Sequence, residues 1–377
     1  MKFELRPYQK DALRRFLQAG KGLLKIHPGG GKTIIAAAAI EAIGFQQLRK
    51  GLRLKTLVLV PTIDLQVQWN RVMAEHGIPS VTIITYAKAI RPEVVNDEAF
   101  WSQFGLLVFD EAHHMAEGPV YQRLLLRAFK VPYALGLSST PPSDPTHTLL
   151  RVLPVLYEQT FAEGLNQGFA APVETRPVEV ELNSEERAEY SKLTESIHSG
   201  IAYVGGDIKR AYPIVGPSMT ARKKLVTMAK AKFQALADAV AEINRTDKPT
   251  RIWVWTEYVD ALEEAKRVLL ERGIRAELVH GKTPKKQRLA VFQEWGTRFQ
   301  VLLIAKVGNE GLDFPETVHG IIIAGARTTT QNVQRVGRLM RPGKGKVAKL
   351  TLIFASGTME ERLIGLIDQV TDGDDRS

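Results

Sequence analysis

Near the amino terminus an apolar run, Gly22-Leu23-Leu24-Lys25-Ile26, leads into His27-Pro28-Gly29-Gly30-Gly31-Lys32-Thr33 and then into the helix-forming stretch Ile34 to Ile43, which Gly44 stops. A strand that feeds a helix through a tight glycine loop is the start of a βαβ unit, so this succession commits the chain to parallel α/β architecture. It also carries chemistry. The glycines let successive backbone N–H groups turn inward around phosphate oxygens, and the helix N-terminus adds partial positive charge. Lys32 can reach β and γ phosphates and Thr33 can ligate Mg²⁺. Ile26 stands where the pattern GxxxxGK(S/T) has its first glycine. A plain flexible turn is the alternative, but such a turn has no need of a Lys-Thr pair at the mouth of an Ala-rich helix.

The alternation continues. Thr56 to Val60, Val81 to Thr85, Leu106 to Asp110 and Tyr133 to Ser138 read as strands between helical stretches, which predicts a first parallel-sheet domain over 1–165. From Asn183 to Lys232 the pattern turns to polar helices broken by Gly205-Gly206 and Pro213 to Pro217, with seven basic residues and one acid between Gly205 and Lys232. This predicts a helical connector or small insertion over 166–232. Apolar runs then return at Ile252 to Trp255, Glu277 to Val279, Val301 to Ile304, Ile321 to Ala324 and Leu350 to Phe354, predicting a second parallel α/β domain over 233–377. With 377 residues, 44% of them apolar, the chain can bury two such cores.

The run Leu106-Leu107-Val108-Phe109 ends in Asp110-Glu111-Ala112-His113, which marks the exit of a buried strand. Asp110 can hold Mg²⁺, usually through water, and Glu111 can orient and deprotonate an attacking water. An ordinary strand-end turn would look similar. A metal-binding acid on one strand and a phosphate loop on another are, however, what nucleotide hydrolysis requires.

Further segments stand around this pair. Leu5-Arg6-Pro7-Tyr8-Gln9 precedes the loop. Val60-Pro61-Thr62, with Gln66 and Trp69 beyond it, and Thr85-Tyr86 lie between loop and acids, and Leu137-Ser138-Ser139-Thr140-Pro141 follows. In the second half come Ile304 to Pro315, containing Gly308, Gly311 and Asp313, and Gln331 to Pro342, which fits QxxGRxxR through Gln334, Gly337, Arg338 and Arg341. On a helix Gln334, Arg338 and Arg341 share one face. In that order the segments resemble the superfamily 2 helicases and translocases, in look the XPB-type and UvsW-type DNA branch, with Asp110 to His113 as the DEAH box.

The resemblance implies two tandem RecA-like α/β domains with an ATP cleft between them and a short helical connector. It implies that Gln9 reads adenine with support from Arg6, and that Gly29, Gly30, Gly31, Lys32 and Thr33 hold phosphates and metal. Gly311 and Asp313 would lie at the nucleotide, the acid at its ribose. Gln334, Arg338 and Arg341 would serve catalysis as γ-phosphate fingers, a role worth about 10³ to 10⁵ in rate where measured. Pro61, Thr62, Thr85, Tyr86, Gly308, His280 and Gly281 would contact nucleic acid, and His113, Ser138, Ser139 and Thr140 would couple hydrolysis to it. His27-Pro28 replaces the family's Pro-Thr, and Ser139 the usual middle Ala.

A formal charge of +10 favours a polyanionic partner. The basic groups Arg222, Lys223, Lys224, Lys230, Lys232 and Lys344, Lys346, Lys349 are either phosphate-tracking patches or solvated faces. Zero Cys excludes disulfides, thiolate zinc sites and iron–sulfur clusters, and the histidines lack metal-ligand spacing. No apolar run reaches the roughly 18 residues of a membrane span, and Met1 to Leu5 is unlike a signal peptide, so a cytoplasmic monomer is expected, with any accessory proteins unidentified. The leading expectation is an Mg-ATP-driven helicase or translocase moving 3′ to 5′ on single-stranded DNA and acting at duplex and branched junctions. An RNA helicase, an annealing or remodelling DNA translocase, and an ATP-switched nucleic-acid clamp are the alternatives.

Overall fold

The computed structural model describes residues 3–52, 54–116, 118–247, 251–305, 317–323, 339 and 346–362. These form two compact units that divide between Ala170 and Ala171.

In the first unit, α1 (Pro7–Ala19) is followed by β1 (Lys21–Ile26), α2 (Lys32–Arg49), β2 (Lys55–Val60), α3 (Ile63–Glu75), β3 (Val81–Thr85), α4 (Tyr86–Ala89), β4 (Phe104–Asp110), β5 (Tyr133–Ser138) and β6 (Val155–Gln159). The six strands form one all-parallel sheet in the order β3-β2-β4-β5-β1-β6. β2 and β4 are continuous apolar runs buried along nearly their whole length, as strands covered on both faces must be. The Ala-rich face of α2, Ile35 to Ile40, is buried against the sheet, and short side chains let the helix approach closely. A second core on the opposite face gathers Leu57, Leu59, Leu107, Phe109 and Met115. Parallel pairing puts every strand's carboxyl end on one edge, where crossover loops leave the sheet and ligands of open α/β sheets bind.

The second unit carries β7 (Val173–Val180), β8 (Ile252–Thr256), β9 (Ala276–His280), β10 (Val301–Ala305), β11 (His319–Ile322) and β12 (Ala348–Ala355) in a parallel sheet ordered β7-β12-β11-β8-β10-β9. Trp253 and Trp255 on β8 are buried, as an alternating core strand predicts. Between β7 and β8 lie helices Ser184–Tyr203, Ile208–Thr227 and Lys230–Thr246. The first two run antiparallel: Ser196 bonds Ser218, Arg222 donates to Thr194, and Val215 packs at Gly200.

The basic run of this segment is largely neutralised. Lys223 pairs with Glu257, Lys224 with Asp260 at 2.6 Å, and the wholly buried Lys232 with Glu360 at 2.5 Å. Lys223, its side chain 11% exposed, and the buried Lys232 therefore serve the unit's own packing, whereas the Lys224 pair lies at the surface. Among the described residues no helix is long and apolar enough to cross a membrane.

Candidate active site

The carboxyl edge of the first sheet assembles the site. β1 ends at Ile26 and the chain turns through Gly29 and Gly31, both with φ near +80°, into α2, whose first residues are Lys32 and Thr33. Gly31 is favoured because its φ of +78° is left-handed, and a Cβ there would lie 2.6 Å from Gln9 Nε2 and displace that side chain from the loop. Two side chains of α1 fix the loop from behind. Tyr8 donates its hydroxyl to the Gly30 carbonyl at 2.5 Å and Gln9 Nε2 donates to the same oxygen at 3.1 Å.

Gln9 Oε1 in turn accepts the Arg6 N–H at 3.0 Å, and the Arg6 guanidinium lies 4.7 Å from the centre of the Phe169 ring. Both polar atoms of Gln9 are thus engaged inside the protein, a departure from the expectation that they face adenine. The bracing role of Tyr8, though it stands inside the segment Leu5 to Gln9, and that of Phe169 could not be read from the sequence, since each acts through a partner far along the chain.

β4, two strands away, delivers the acids. Asp110 is almost fully buried; its Oδ2 accepts the Trp69 indole N–H at 2.7 Å and its Oδ1 the Glu111 N–H at 3.0 Å. Burial and the neighbouring Glu111 charge push the Asp110 carboxyl up to about 6, while the Trp69 bond and Lys32 pull the other way. Glu111 adopts φ of +49°, a left-handed conformation that costs a non-glycine residue energy and is found where the surroundings impose it. The turn brings its carboxylate to 3.8 Å from Lys32 Nζ and 3.5 Å from His113 Nδ1, and its buried Oε2 accepts no hydrogen bond among the described residues.

His113 Nδ1 is also 3.2 Å from Ser138 Oγ, and Ser138 accepts the Thr140 N–H at 3.1 Å. A chain of contacts therefore runs from Glu111 through His113 to the end of β5. The buried hydroxyls of Ser139 and Thr140 have no hydrogen-bond partner among the described residues.

Thr62 and Thr85 cap α3 and α4, accepting the N–H groups of Leu65 and Lys88 at 3.3 and 3.2 Å, and each keeps its own hydroxyl proton to donate. Pro61 stands half-buried beside Thr62. Tyr86 is a correction to the expected nucleic-acid face: its ring is 2% exposed and its hydroxyl donates inward to the Asp110 carbonyl at 2.7 Å. An aromatic ring that follows a strand end packs into the core when its hydroxyl finds a buried acceptor there.

In the second unit His280 ends β9, its ring accepting the Lys282 N–H at 3.2 Å, with Gly281 exposed next to it. Gly308, Gly311, Asp313, Gln334, Arg338 and Arg341 lie outside the described residues.

The donor set suits a nucleoside triphosphate with a divalent cation. A left-handed glycine loop that a Cβ would obstruct, a cation and a hydroxyl at a helix start, a buried carboxylate and a second carboxylate oxygen without a donor face one edge.

Residues 231–343 match the helicase conserved C-terminal domain, and residues 2–80 and 75–143 match the family described as type III restriction enzyme, res subunit. The chain is 28% identical to the DNA 3'-5' translocase XPB2 of Sulfurisphaera tokodaii over 96% of its own length and 84% of that protein's. It is 27% identical to the putative DNA 3'-5' helicase Rad25 of Haloarcula marismortui over 97% of its length, and spans 54% of that relative. Among solved structures, the Pyrococcus furiosus Hef helicase domain aligns over 96% of this chain and 97% of its own with a TM-score of 0.61 at 19% identity. A fragment of a putative HsdR subunit of a type I restriction enzyme from Vibrio vulnificus aligns over 98% of this chain and 66% of its own with a TM-score of 0.66 at 17% identity.

Proposed function

We propose that this chain, which belongs to the superfamily 2 helicases in the XPB-type branch, hydrolyses Mg-ATP to move 3′ to 5′ along single-stranded DNA, unwinding or remodelling duplex and branched DNA as it goes. The observation that carries the reading is the convergence of Lys32, Asp110 and Glu111 at the glycine loop, with Lys32 and Glu111 only 3.8 Å apart. The direction and the DNA substrate rest on relatives named as DNA 3'-5' translocase and helicase.

In this reading the Gly29 to Gly31 backbone and the Lys32 ammonium would bind the phosphates, and Thr33 and Asp110 would hold the cation, Asp110 through water. Glu111 would orient the attacking water and take its proton. Bound ATP supplies the hydrolysable anhydride, and Mg²⁺ neutralises its charge. Gln334, Arg338 and Arg341 would answer charge developing on the γ-phosphate, and Asp313 and Gly311 would meet the nucleoside. Thr62 and Thr85 would grip the DNA backbone, joined by Gly308, His280 and Gly281 from the second unit, and His113 with Ser138 to Thr140 would relay the state of the site.

The test is steady-state ATP hydrolysis with no nucleic acid and with single-stranded DNA, duplex DNA, branched DNA or single-stranded RNA, Lys32→Ala serving as blank. Stimulation by DNA is the expected result, and a preference for forks would favour remodelling. Stimulation by RNA alone would overturn the substrate assignment. Affinity for single strands should also fall steeply with salt, because neutralised phosphates release counterions.

A further inference from the structure

The strands β3, β2 and β4 are adjacent, and their carboxyl ends lie level: Val60 pairs with Thr85 and Leu59 with Phe109. Thr62 begins α3, Thr85 begins α4 and Asp110 ends β4, so three functional positions share one short stretch of edge. Each of the two threonine-capped elements sends one buried donor to Asp110. Trp69 on α3, wholly buried, bonds its Oδ2 at 2.7 Å, and Tyr86 at the head of α4 bonds its backbone carbonyl at 2.7 Å. Gln66, one turn into α3, donates to the Ile83 carbonyl at 2.7 Å and ties α3 to the strand that leads to Thr85.

We propose that Trp69 and Tyr86 are positioning residues that carry the state of Asp110 to the DNA-gripping ends at Thr62 and Thr85, so that nucleotide binding resets DNA affinity. The inference rests on the translocase reading above. Its physical basis is the lack of slack at Asp110. With Oδ2 engaged by Trp69 and Oδ1 by the Glu111 N–H, the carboxylate cannot reorient toward a cation's water shell without moving Trp69 or leaving a buried donor unpaired, which is costly. A helix is stiff over the seven residues from Thr62 to Trp69, about 10 Å at 1.5 Å per residue, so displacement at one end is delivered at the other. Tyr86 and Trp69 belong to different hydrophobic clusters, on the two faces of the sheet, yet converge on one residue.

Coupling of this kind is reciprocal and is measured as a ratio of affinities. The experiment is fluorescence anisotropy of a labelled oligothymidylate bound to the full chain, without nucleotide and with Mg²⁺ plus a non-hydrolysable ATP analogue, for wild type, Trp69→Phe and Tyr86→Phe. Both variants should lose at least about threefold of the nucleotide-dependent affinity ratio, while nucleotide-free DNA affinity stays within about twofold of wild type. A tryptophan or tyrosine that merely filled the core would shift both affinities together and leave the ratio unchanged; that result overturns the inference and leaves the translocase reading standing. A wild-type affinity indifferent to nucleotide would overturn both. Tyr86→Phe deletes one hydroxyl and spares the Asp110 carboxylate, so the test survives even if Trp69→Phe folds poorly.

Discussion

Lys32 Nζ and Glu111 Oε1 lie 3.8 Å apart at side-chain exposures of 11% and 15%, although Lys32 opens α2 and Glu111 follows β4, reaching the place only through a left-handed backbone turn. The pair is held too far apart for a tight ion pair, and Lys32 directly follows Gly31 of the glycine loop. Such spacing leaves the ammonium for phosphate and the carboxylate for water, two roles that a closed salt bridge would cancel.

Glu111→Gln keeps the shape of the side chain and removes its basicity. Turnover should fall about 10²- to 10⁴-fold, the usual worth of a positioned general base, with nucleotide affinity retained. Lys32→Ala should instead weaken nucleotide binding itself. Single-turnover hydrolysis alongside equilibrium binding separates the two, and Glu111→Gln with full turnover would remove the assigned base.

Tyr8→Phe tests the brace behind the loop. Its hydroxyl donates to the Gly30 carbonyl, and a neutral bond of this type contributes about 0.5 to 1.5 kcal/mol, so nucleotide affinity should drop about two- to tenfold with the rate of the chemical step unchanged. Titration with a fluorescent nucleotide reads the effect. A larger loss in catalytic rate than in affinity would contradict a purely positional role.

Local pattern revealed most of the fold and the ends of the strands that carry the site. The loop at Gly29 to Thr33 and the acids at Asp110 and Glu111 stand beside apolar runs, and ten of the twelve strands among the described residues were visible as such runs. β6 and β7 were not, because their sequences break the apolar run: Val155 to Gln159 mixes in polar residues, and Val173 to Val180 alternates charged residues and contains Pro177, which an edge strand tolerates. Partners far apart in the chain were equally hidden. The basic run of the helical segment reads as a free cationic face until Asp260, 36 residues after Lys224, and Glu360, 128 after Lys232, are seen beside it. The inward turn of Tyr86 depends likewise on a carbonyl 24 residues away.

The Lys232 and Glu360 pair makes a stability prediction. Lys232 Nζ also contacts the Ile323 carbonyl at 3.3 Å, and Glu360 Oε2 accepts the Ala355 N–H at 3.1 Å, so the pair joins a helix to the ends of β11 and β12. Lys232→Met leaves a buried carboxylate without its cation and should cost about 3 to 5 kcal/mol. Adding Glu360→Gln removes the orphaned charge and keeps an acceptor for Ala355, and should restore most of the loss. Chemical denaturation of both variants measures this, and equal destabilisation in the two would show that packing, not charge, dominates.

His27 gives the pH dependence. It occupies the first position of the loop, 5% exposed, with Nδ1 2.9 Å from the Pro28 carbonyl and a buried Nε2 that has no hydrogen-bond partner among the described residues. Burial, opposed by the bond with Pro28 and reinforced by the Lys32 and Arg6 charges, holds its pKa below the ordinary 6.5. The unfolded chain therefore binds more protons than the folded one between the two values. Stability linked to His27 is complete above about pH 6.5 and is lost as pH falls through the lowered pKa. Melting temperatures followed from about pH 7.5 down to about pH 5.5 should decline in wild type and decline less in His27→Leu, which retains apolar volume and cannot protonate. Nucleotide affinity should follow the opposite course if the loop stays folded, since an imidazolium so near Lys32 adds positive charge where phosphates bind. Parallel slopes for wild type and His27→Leu would show that other groups govern the acid response.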